Sequence, residues 1–242
     1  NAEEFYRAEN GHAIGYFWGY KTAGLFQNQK EINDWIAAGN GIYQADVKPG
    51  DVKYVDVNHD GVINASDKVD LGNGLPKYTF GFNFSLAWKG FDLSANFTGA
   101  AGFQIAQSYR DPSSSQANYS RRILKRWTGE GTSNEIPRVT YGDVGNWLFS
   151  DLYLQDGDYI RLQNLTMGYD FKKLISWKGL SKMRLYFQVQ NLFTLTKYDG
   201  MDPEIGSFNG TDGNSSDSWV SGVDMGYYPH PRTFIVGLNL AF

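Results

Sequence analysis

From Tyr78 to Trp88, large apolar side chains fill every second position. Tyr78, Phe80, Phe82, Phe84, Leu86 and Trp88 share one parity, and Thr79, Gly81, Asn83, Ser85 and Ala87 the other. A repeat of two puts successive side chains on opposite faces of a strand. A return run follows, in which Phe91, Leu93, Ala95 and Phe97 alternate with Asp92, Ser94, Asn96 and Thr98. Lys89-Gly90 between the two runs predicts a two-residue hairpin. The run from Arg232 to Phe242 sets Phe234, Val236, Leu238, Leu240 and Phe242 against Thr233, Gly237 and Asn239, and Met183 to Phe193 sets Leu185, Phe187 and Val189 against Arg184, Tyr186, Gln188 and Gln190. Tyr159 to Phe171 changes parity midway, from Ile160 and Leu162 to Leu165, Met167, Tyr169 and Phe171. A bulge at Gln163-Asn164 would bring both sets onto one face. A further strand is predicted near Ile14 to Tyr20, with its pattern blurred by Gly15 and Gly19.

Large apolar groups on one face and small or polar groups on the other suit a strand between lipid and a wet lumen. The clearest runs reach the roughly 9–11 residues that a tilted strand needs to cross a bilayer. Connections alternate in length: Lys89-Gly90 and 172–182 are short, whereas roughly 24–77, 104–158 and 194–231 are long. Transmembrane barrels place short turns on the periplasmic side and long loops outside. The fold class expected is therefore all-β: about six strands of a large antiparallel transmembrane β-barrel with long extracellular loops. Trp88, Phe91, Tyr169, Phe171 and Phe242 would mark the periplasmic rim, and Tyr78, Phe80, Phe103, Phe193 and Phe234 the outer one. A β-sandwich, whose aromatics would face a second sheet, is the alternative.

Composition agrees with either. Aromatic residues make up 16% of the 242 positions, which excludes a disordered chain. Mean hydropathy is −0.45, a value that an alternating barrel shares with soluble proteins. Lys and Arg number 22 against 26 Asp and Glu, and the absence of a basic patch argues against nucleic acid as a partner. With no Cys, disulfides and thiolate-held metal are excluded. Asn1 opens the chain without a signal-like segment, so a processed protein or a piece of a longer one is expected.

The sharpest local motif is Asp56 to Asp67, DVNHDGVINASD. Asp56, Asn58 and Asp60 hold positions 1, 3 and 5 of a calcium loop, Gly61 the turn, the Val62 carbonyl position 7, Asn64 position 9 and Asp67 position 12. That spacing predicts one bound Ca2+ of structural role, pinning a long loop. An Asp at position 12 is similar to dockerin-type loops. His59 points outward at position 4 and is not a ligand, and an Asx-rich turn without metal is the other reading. Catalytic arrangements are thin: His12, His59 and His230 are scattered and none stands in an H-E-x-x-H spacing. Asp156 and Asp158 read as a turn entering a strand. No enzyme activity is expected. Loop aromatics, among them Tyr109, Tyr119, Trp147, Trp219, Tyr227 and Tyr228, with the polar run 208–219, offer an outward surface for sugars or peptide side chains.

Taken together, GYFWGYKTAGLFQNQKEI (15–32), GDVKYVDVNHDGVINASDKVDLGN (50–73), PKYTFGFNFSLAWKGFDLSANFTGAAG (76–102), IPRV (136–139), DGDYIRLQNLTMGYDF (156–171), LYFQVQNLFTLTKYDGMDPE (185–204) and GVDMGYYPHPRTFIVGLNLAF (222–242) resemble the SusC/RagA-like TonB-dependent outer-membrane transporters of Bacteroidetes-type bacteria. His59 stands where that family usually has Gly. The resemblance implies that 1–242 is the C-terminal portion of a plugged barrel of about 22 strands, carrying a calcium-loop-like insertion at 56–67. It also implies contact with outer-membrane lipid, import of oligosaccharide or peptide cargo, a SusD-like surface lipoprotein as lid, and coupling to TonB through segments outside this chain. A soluble calcium-binding β-sandwich that binds carbohydrate remains the alternative.

Overall fold

The computed structural model describes residues 5–108, 120–140, 145–205 and 221–242. The chain forms two compact units. The first gathers Asn1–Leu75, Gln104–Gln155 and Ile205–Gly226, and the second Pro76–Phe103, Asp156–Glu204 and Tyr227–Phe242. In chain order the first unit opens with β1 (Tyr6–Arg7), β2 (Tyr16–Tyr20), β3 (Thr22–Leu25), α1 (Gln29–Ala37), β4 (Val52–Tyr54) and β5 (Lys68–Asn73). The long strands β6 (Tyr78–Trp88) and β7 (Phe91–Ala101) follow, then the short β8 (Gln104–Gln107) and β9 (Leu154–Asp156). Long strands β10 (Tyr159–Asp170) and β11 (Lys182–Thr196), the two-residue β12 (Val223–Asp224) and β13 (Thr233–Ala241) complete the series.

The second unit is one antiparallel sheet in the order β13-β11-β10-β7-β6. Lys89 and Gly90 both take positive φ, 48° and 97°. That is the requirement of a type I′ hairpin, whose twist matches the strands it joins. Cross-strand pairs carry the apolar parity across the sheet: Leu86 faces Leu93, Leu93 faces Met167, Met167 faces Phe187, and Phe187 faces Val236. Phe82 pairs with Phe97, and Phe187 stacks on Phe234 at 6.2 Å. This face is left uncovered: Phe82 is 59% exposed, Leu185 43% and Leu238 51%. Every residue of β6 is exposed.

The bulge expected at Gln163 is present, and it propagates. Leu162 faces Phe97 while Asn164 faces Asn96, so β10 carries one extra residue against β7. On the other side Leu162 faces Phe193 and Asn164 faces Gln190, so β11 carries one more again. Asn191 absorbs that surplus at φ 51°, a left-handed conformation that Asn tolerates better than most residues. The outcome is the predicted one, since Leu162 and Leu165 both lie among the apolar partners.

The opposite face is polar. Arg184 on β11 reaches over Gly168 on β10 and binds Asp92 on β7 with two hydrogen bonds, Nε to Oδ1 at 2.7 Å and Nη2 to Oδ2 at 2.5 Å. A Cβ at Gly168 would lie 2.5 Å from the guanidinium. One ion pair thus spans three strands because the middle strand presents no side chain there.

The first unit departs from expectation in three ways. The sixth strand, β2, exists but joins β1 and β5 in a separate sheet rather than the barrel sheet. Its residues are buried on both faces, so the alternation that a strand between lipid and lumen needs is missing. The stretches read as long loops hold their own elements. Tyr20, Leu25, Val52, Tyr54 and Ile63 form one hydrophobic cluster, and Tyr6, Phe17 and Ala106 another. Finally, α1 is a helix that periodicity-two reading passed over. Its signal is local: the Asn28 side chain accepts from the Glu31 N–H at 2.9 Å, as an N-cap does, with Ile32 buried one position on. Phe103, expected at the outer aromatic rim, is instead buried, its ring laid against Gly157.

Replacing Phe82 with Arg places a charge on the uncovered apolar face. The expected cost in the bilayer is on the order of 2–4 kcal/mol near mid-membrane, whereas Asn96→Ser on the polar face should be nearly neutral. Assembly of each variant of the whole protein into membranes, followed by urea unfolding in lipid, measures the difference. Equal stability of Phe82→Arg and the parent would overturn the assigned parity.

Candidate functional site

The Asp56–Asp67 loop lies between β4 and β5. Its acidic side chains fold it by accepting backbone N–H groups. Asp56, buried, accepts from Gly61 at 2.7 Å and Asp60 at 3.3 Å. Asp60 accepts from Val62 at 2.9 Å and from the Asn58 amide at 2.9 Å. Asp67, fully buried, accepts from Val57 at 2.9 Å and Asn64 at 2.8 Å. Asn64 caps the short helical turn that follows, accepting from Ser66 at 2.8 Å. Gly61 and His59 hold the turn at φ 81° and 59°. The Asn58 amide and the Val62 N–H hold the Asp60 carboxyl below its ordinary pKa, so it is ionised at neutral pH. Each carboxylate oxygen has two lone pairs, and one hydrogen bond per oxygen leaves capacity for a cation. Ile63, between Val62 and Asn64 of the loop, is buried in the cluster with Tyr20 and Tyr54, which ties the loop to its unit.

A second constellation lies at one end of the barrel sheet, where β10 begins and β11 ends. Arg161 is 3% exposed. Its Nε donates to Thr194 Oγ1 at 2.9 Å and its Nη1 to Glu204 at 2.7 Å, and its Nη2 binds Asp202. His230 completes the cluster: its backbone N–H donates to Asp202 Oδ2 at 3.1 Å, and its Nδ1 lies 3.0 Å from the same oxygen and 3.1 Å from Arg161 Nη1. Burial works to raise the Asp202 pKa, but the N–H groups of Glu204 and His230, the His230 ring and the Arg161 guanidinium hold it below the ordinary carboxylate value. Among the described residues, Asp202, Glu204 and His230 form the one group of three carboxylate or imidazole side chains whose ligating atoms come within 4.8 Å of one another. A guanidinium already occupies its centre, which makes it an ion-pair knot. Sequence reading missed this cluster. Its signal was a charged residue in a membrane-length strand, with D-P-E at 202–204 and a lone His at 230.

The first unit also holds a cleft of about 360 Å3. Phe149, Leu152, Ile136 and Trp147 wall it, with Arg122 and Glu135 among the polar groups. Tyr153 lies there with its hydroxyl donated to the Asn146 carbonyl at 2.7 Å, and burial pushes its pKa up to about 12. Nearby Asp51 is buried and paired with Arg138, Nη2 to Oδ2 at 3.0 Å, and with Asn146 at 2.8 Å. Of the loop aromatics, Trp147 lines this cleft, and Tyr227 and Tyr228 are exposed. Tyr109, Tyr119, Trp219 and the run 208–219 lie outside the described residues. Asp156 and Asp158 form the expected turn, with the Asp158 N–H donated to Asp156 at 3.0 Å.

No family model matches the chain. It is 34% identical, over 96% of its length, to TonB-dependent receptor P3 of Formosa agariphila, and covers 22% of that protein. It is 29% identical, over 83% of its length, to TonB-dependent receptor SusC of Bacteroides thetaiotaomicron, covering 18% of it. Among solved structures, the RagAB peptide transporter shares its fold with a TM-score of 0.63 at 21% identity, over 99% of this chain and 25% of that one. The RagAB peptide importer in its open-open state gives a TM-score of 0.61, also at 21% identity, over 98% and 24%. The chain thus spans about a quarter or less of the relatives it matches.

Because the Asp202 pKa is depressed, its stabilising effect is present above the ordinary carboxylate value of about 3.9 and lost as pH falls through the lower folded value. Segments 198–205 and 227–231 are therefore expected to become cleavable by pepsin as the pH drops below about 4. Asp202→Asn should make them cleavable already at higher pH and flatten the dependence. Cleavage that is unchanged by the substitution at every pH would refute this.

Proposed function

Because this chain is a segment of a SusC/RagA-like TonB-dependent receptor, an outer-membrane protein, we infer that it forms part of an importer that carries oligosaccharides or peptides across the outer membrane. The observation that supports this most is the barrel sheet. It is a single layer with bilayer-length strands, one uncovered apolar face and one polar face. In water such a face invites aggregation, whereas in a bilayer it meets lipid on one side and a polar lumen on the other. A soluble carbohydrate-binding sandwich would need a second sheet against that face, and Phe82, Phe84, Leu86, Val236 and Leu238 are all exposed.

The partners follow from the same reading. A SusD-like surface lipoprotein sits over the outer mouth as a lid, and TonB supplies energy through parts of the protein beyond this stretch. The polar and aromatic excursions 24–77, 104–158 and 194–231 face outside and meet the lid. A stable contact needs about 800 Å2 per partner. Cargo is held between lid and barrel, and the RagAB relative is named for peptides. The first unit binds one structural calcium through Asp56, Asn58, Asp60, the Val62 carbonyl, Asp67 and a water held by Asn64, at oxygen distances of about 2.3–2.6 Å.

Purification of the intact transporter from native membranes in mild detergent is expected to bring a surface lipoprotein with it. Recovery without one across several detergents would sink the lid assignment. Cargo is decided by binding assays on that complex with oligosaccharide and peptide pools.

For calcium, the whole transporter should gain about 2.7 kcal/mol of stability at a hundredfold excess over Kd, read as a rise in Tm that chelator reverses. Asp60→Ala should abolish the rise. No heat of binding and no shift in Tm in millimolar calcium would remove the metal from the account.

A further inference from the structure

We propose that Arg161 is a positioning residue that clasps both feet of the 197–231 excursion to the barrel strand β10. The two feet approach from opposite ends of the chain segment. Asp202 and Glu204 stand shortly after β11, and His230 shortly before β13. All three meet one guanidinium, which is rooted in the sheet through Thr194 on the neighbouring strand. Asp202 joins the feet directly as well, accepting the Glu204 N–H at 2.9 Å on one oxygen and the His230 N–H at 3.1 Å on the other.

The geometry asks for arginine specifically. A guanidinium is planar, cannot be deprotonated and presents five N–H donors in a fixed fork. Here Nε, Nη1 and Nη2 each serve a different partner, and an ammonium on a flexible stem cannot reproduce that spread. Burial raises the stakes, because removing one member of a buried ion pair leaves the other uncompensated. His230 Nδ1 lies within reach of both a donor and an acceptor and serves one at a time. The bonds of the second foot that do not depend on the imidazole are the His230 N–H to Asp202 and the Pro231 carbonyl, which accepts from Asn191 Nδ2 at 3.1 Å. Charges facing the knot are Arg161 from β10 and Asp202 and Glu204 from the first foot. With neutral imidazole the set carries one net negative charge.

This inference rests on the importer reading only for its consequence: an excursion delivered to the outer partner from a fixed base. The clasp itself is tested without any import assay. Hydrogen exchange is followed in the full transporter in detergent micelles, comparing the parent with Arg161→Gln, Arg161→Lys and Asp202→Asn. Arg161→Gln is expected to speed exchange in 198–205 and 227–231 together, on the order of a hundredfold, while amides of β10 and β11 stay protected. Arg161→Lys should restore only part of the protection. If only one foot loosens, or if protection of β10 collapses with the feet, Arg161 is an ordinary strand-stabilising residue and the clasp is wrong. Should Arg161→Gln fail to assemble, Asp202→Asn decides, since it removes the shared acceptor charge and leaves the strand intact. Both feet must then loosen together. Uptake that is unchanged in a variant whose two feet have both loosened would count against the importer consequence and leave the clasp standing, whereas two feet that stay protected would overturn the clasp itself.

Discussion

A strand surrounded by hydrocarbon has no water to satisfy its N–H and C=O groups, so each must find a partner on the next strand. The barrel sheet follows from this. Its five strands run without a gap from β13 to β6, and the tight Lys89-Gly90 turn returns the chain with the next strand already in register. The bulge at Gln163 obeys the same demand. A surplus residue in β10 would misplace the ladder of β11, and β11 restores it by carrying a surplus of its own at Asn191. The barrel is not closed within this stretch, and β6 and β13 are the strands at which further barrel strands must pair.

Charge is placed on the face away from lipid or enclosed by partners. On the polar face Arg184 is delivered to Asp92 across the bare backbone of Gly168, and at the sheet end Arg161 is surrounded by acceptors on all sides. A buried charge with one partner missing is strongly destabilising, so the buried Arg161 and Asp202 are held as a complete set. The first unit solves a different problem. It buries Tyr20, Leu25, Val52 and Tyr54 in a hydrophobic cluster, and its buried Asp51 is satisfied by Arg138, Asn146 and the Lys48 N–H together.

What could be read in the amino-acid order reflects this difference in physics. Alternation is imposed by two unlike media, one on each face of a strand, and it is written in single residues from Phe80 to Leu86 or Phe234 to Leu240. The long strands and the Gln163 bulge were legible for that reason. β2 was placed in the wrong sheet because Tyr16, Phe17 and Tyr20 are each buried, on both faces of the strand, and carry no period. α1 is a short helix whose cap, Asn28 with Glu31, is a two-residue signal easily lost in a chain dominated by strands. The Asp56 to Asp67 turn was readable as an acidic loop because its hydrogen bonds are local, each Asp accepting N–H groups within about ten residues of it. The Arg161 knot was not, since its members lie at 161, 194, 202, 204 and 230 and meet only when the sheet is folded.

The excursions between barrel strands can be long because of how loop entropy grows. Doubling a flexible connection costs only about 0.6 kcal/mol of closure entropy, so the expense lies in fixing the two feet far more than in the length between them. The second unit fixes feet in pairs. The Gly157 N–H donates to the Phe103 carbonyl at 3.1 Å, and the Gly102 N–H to Asp158 at 2.7 Å, joining the chain where it leaves β7 to where it enters β10. Arg161 does the same for the departure after β11 and the return before β13. With the feet held by groups that belong to the sheet, the sequence in between is released from barrel geometry and needs only to satisfy its own packing. That is the condition under which the first unit can carry hydrophobic clusters, a cleft and an acidic loop without disturbing the strand register of the second.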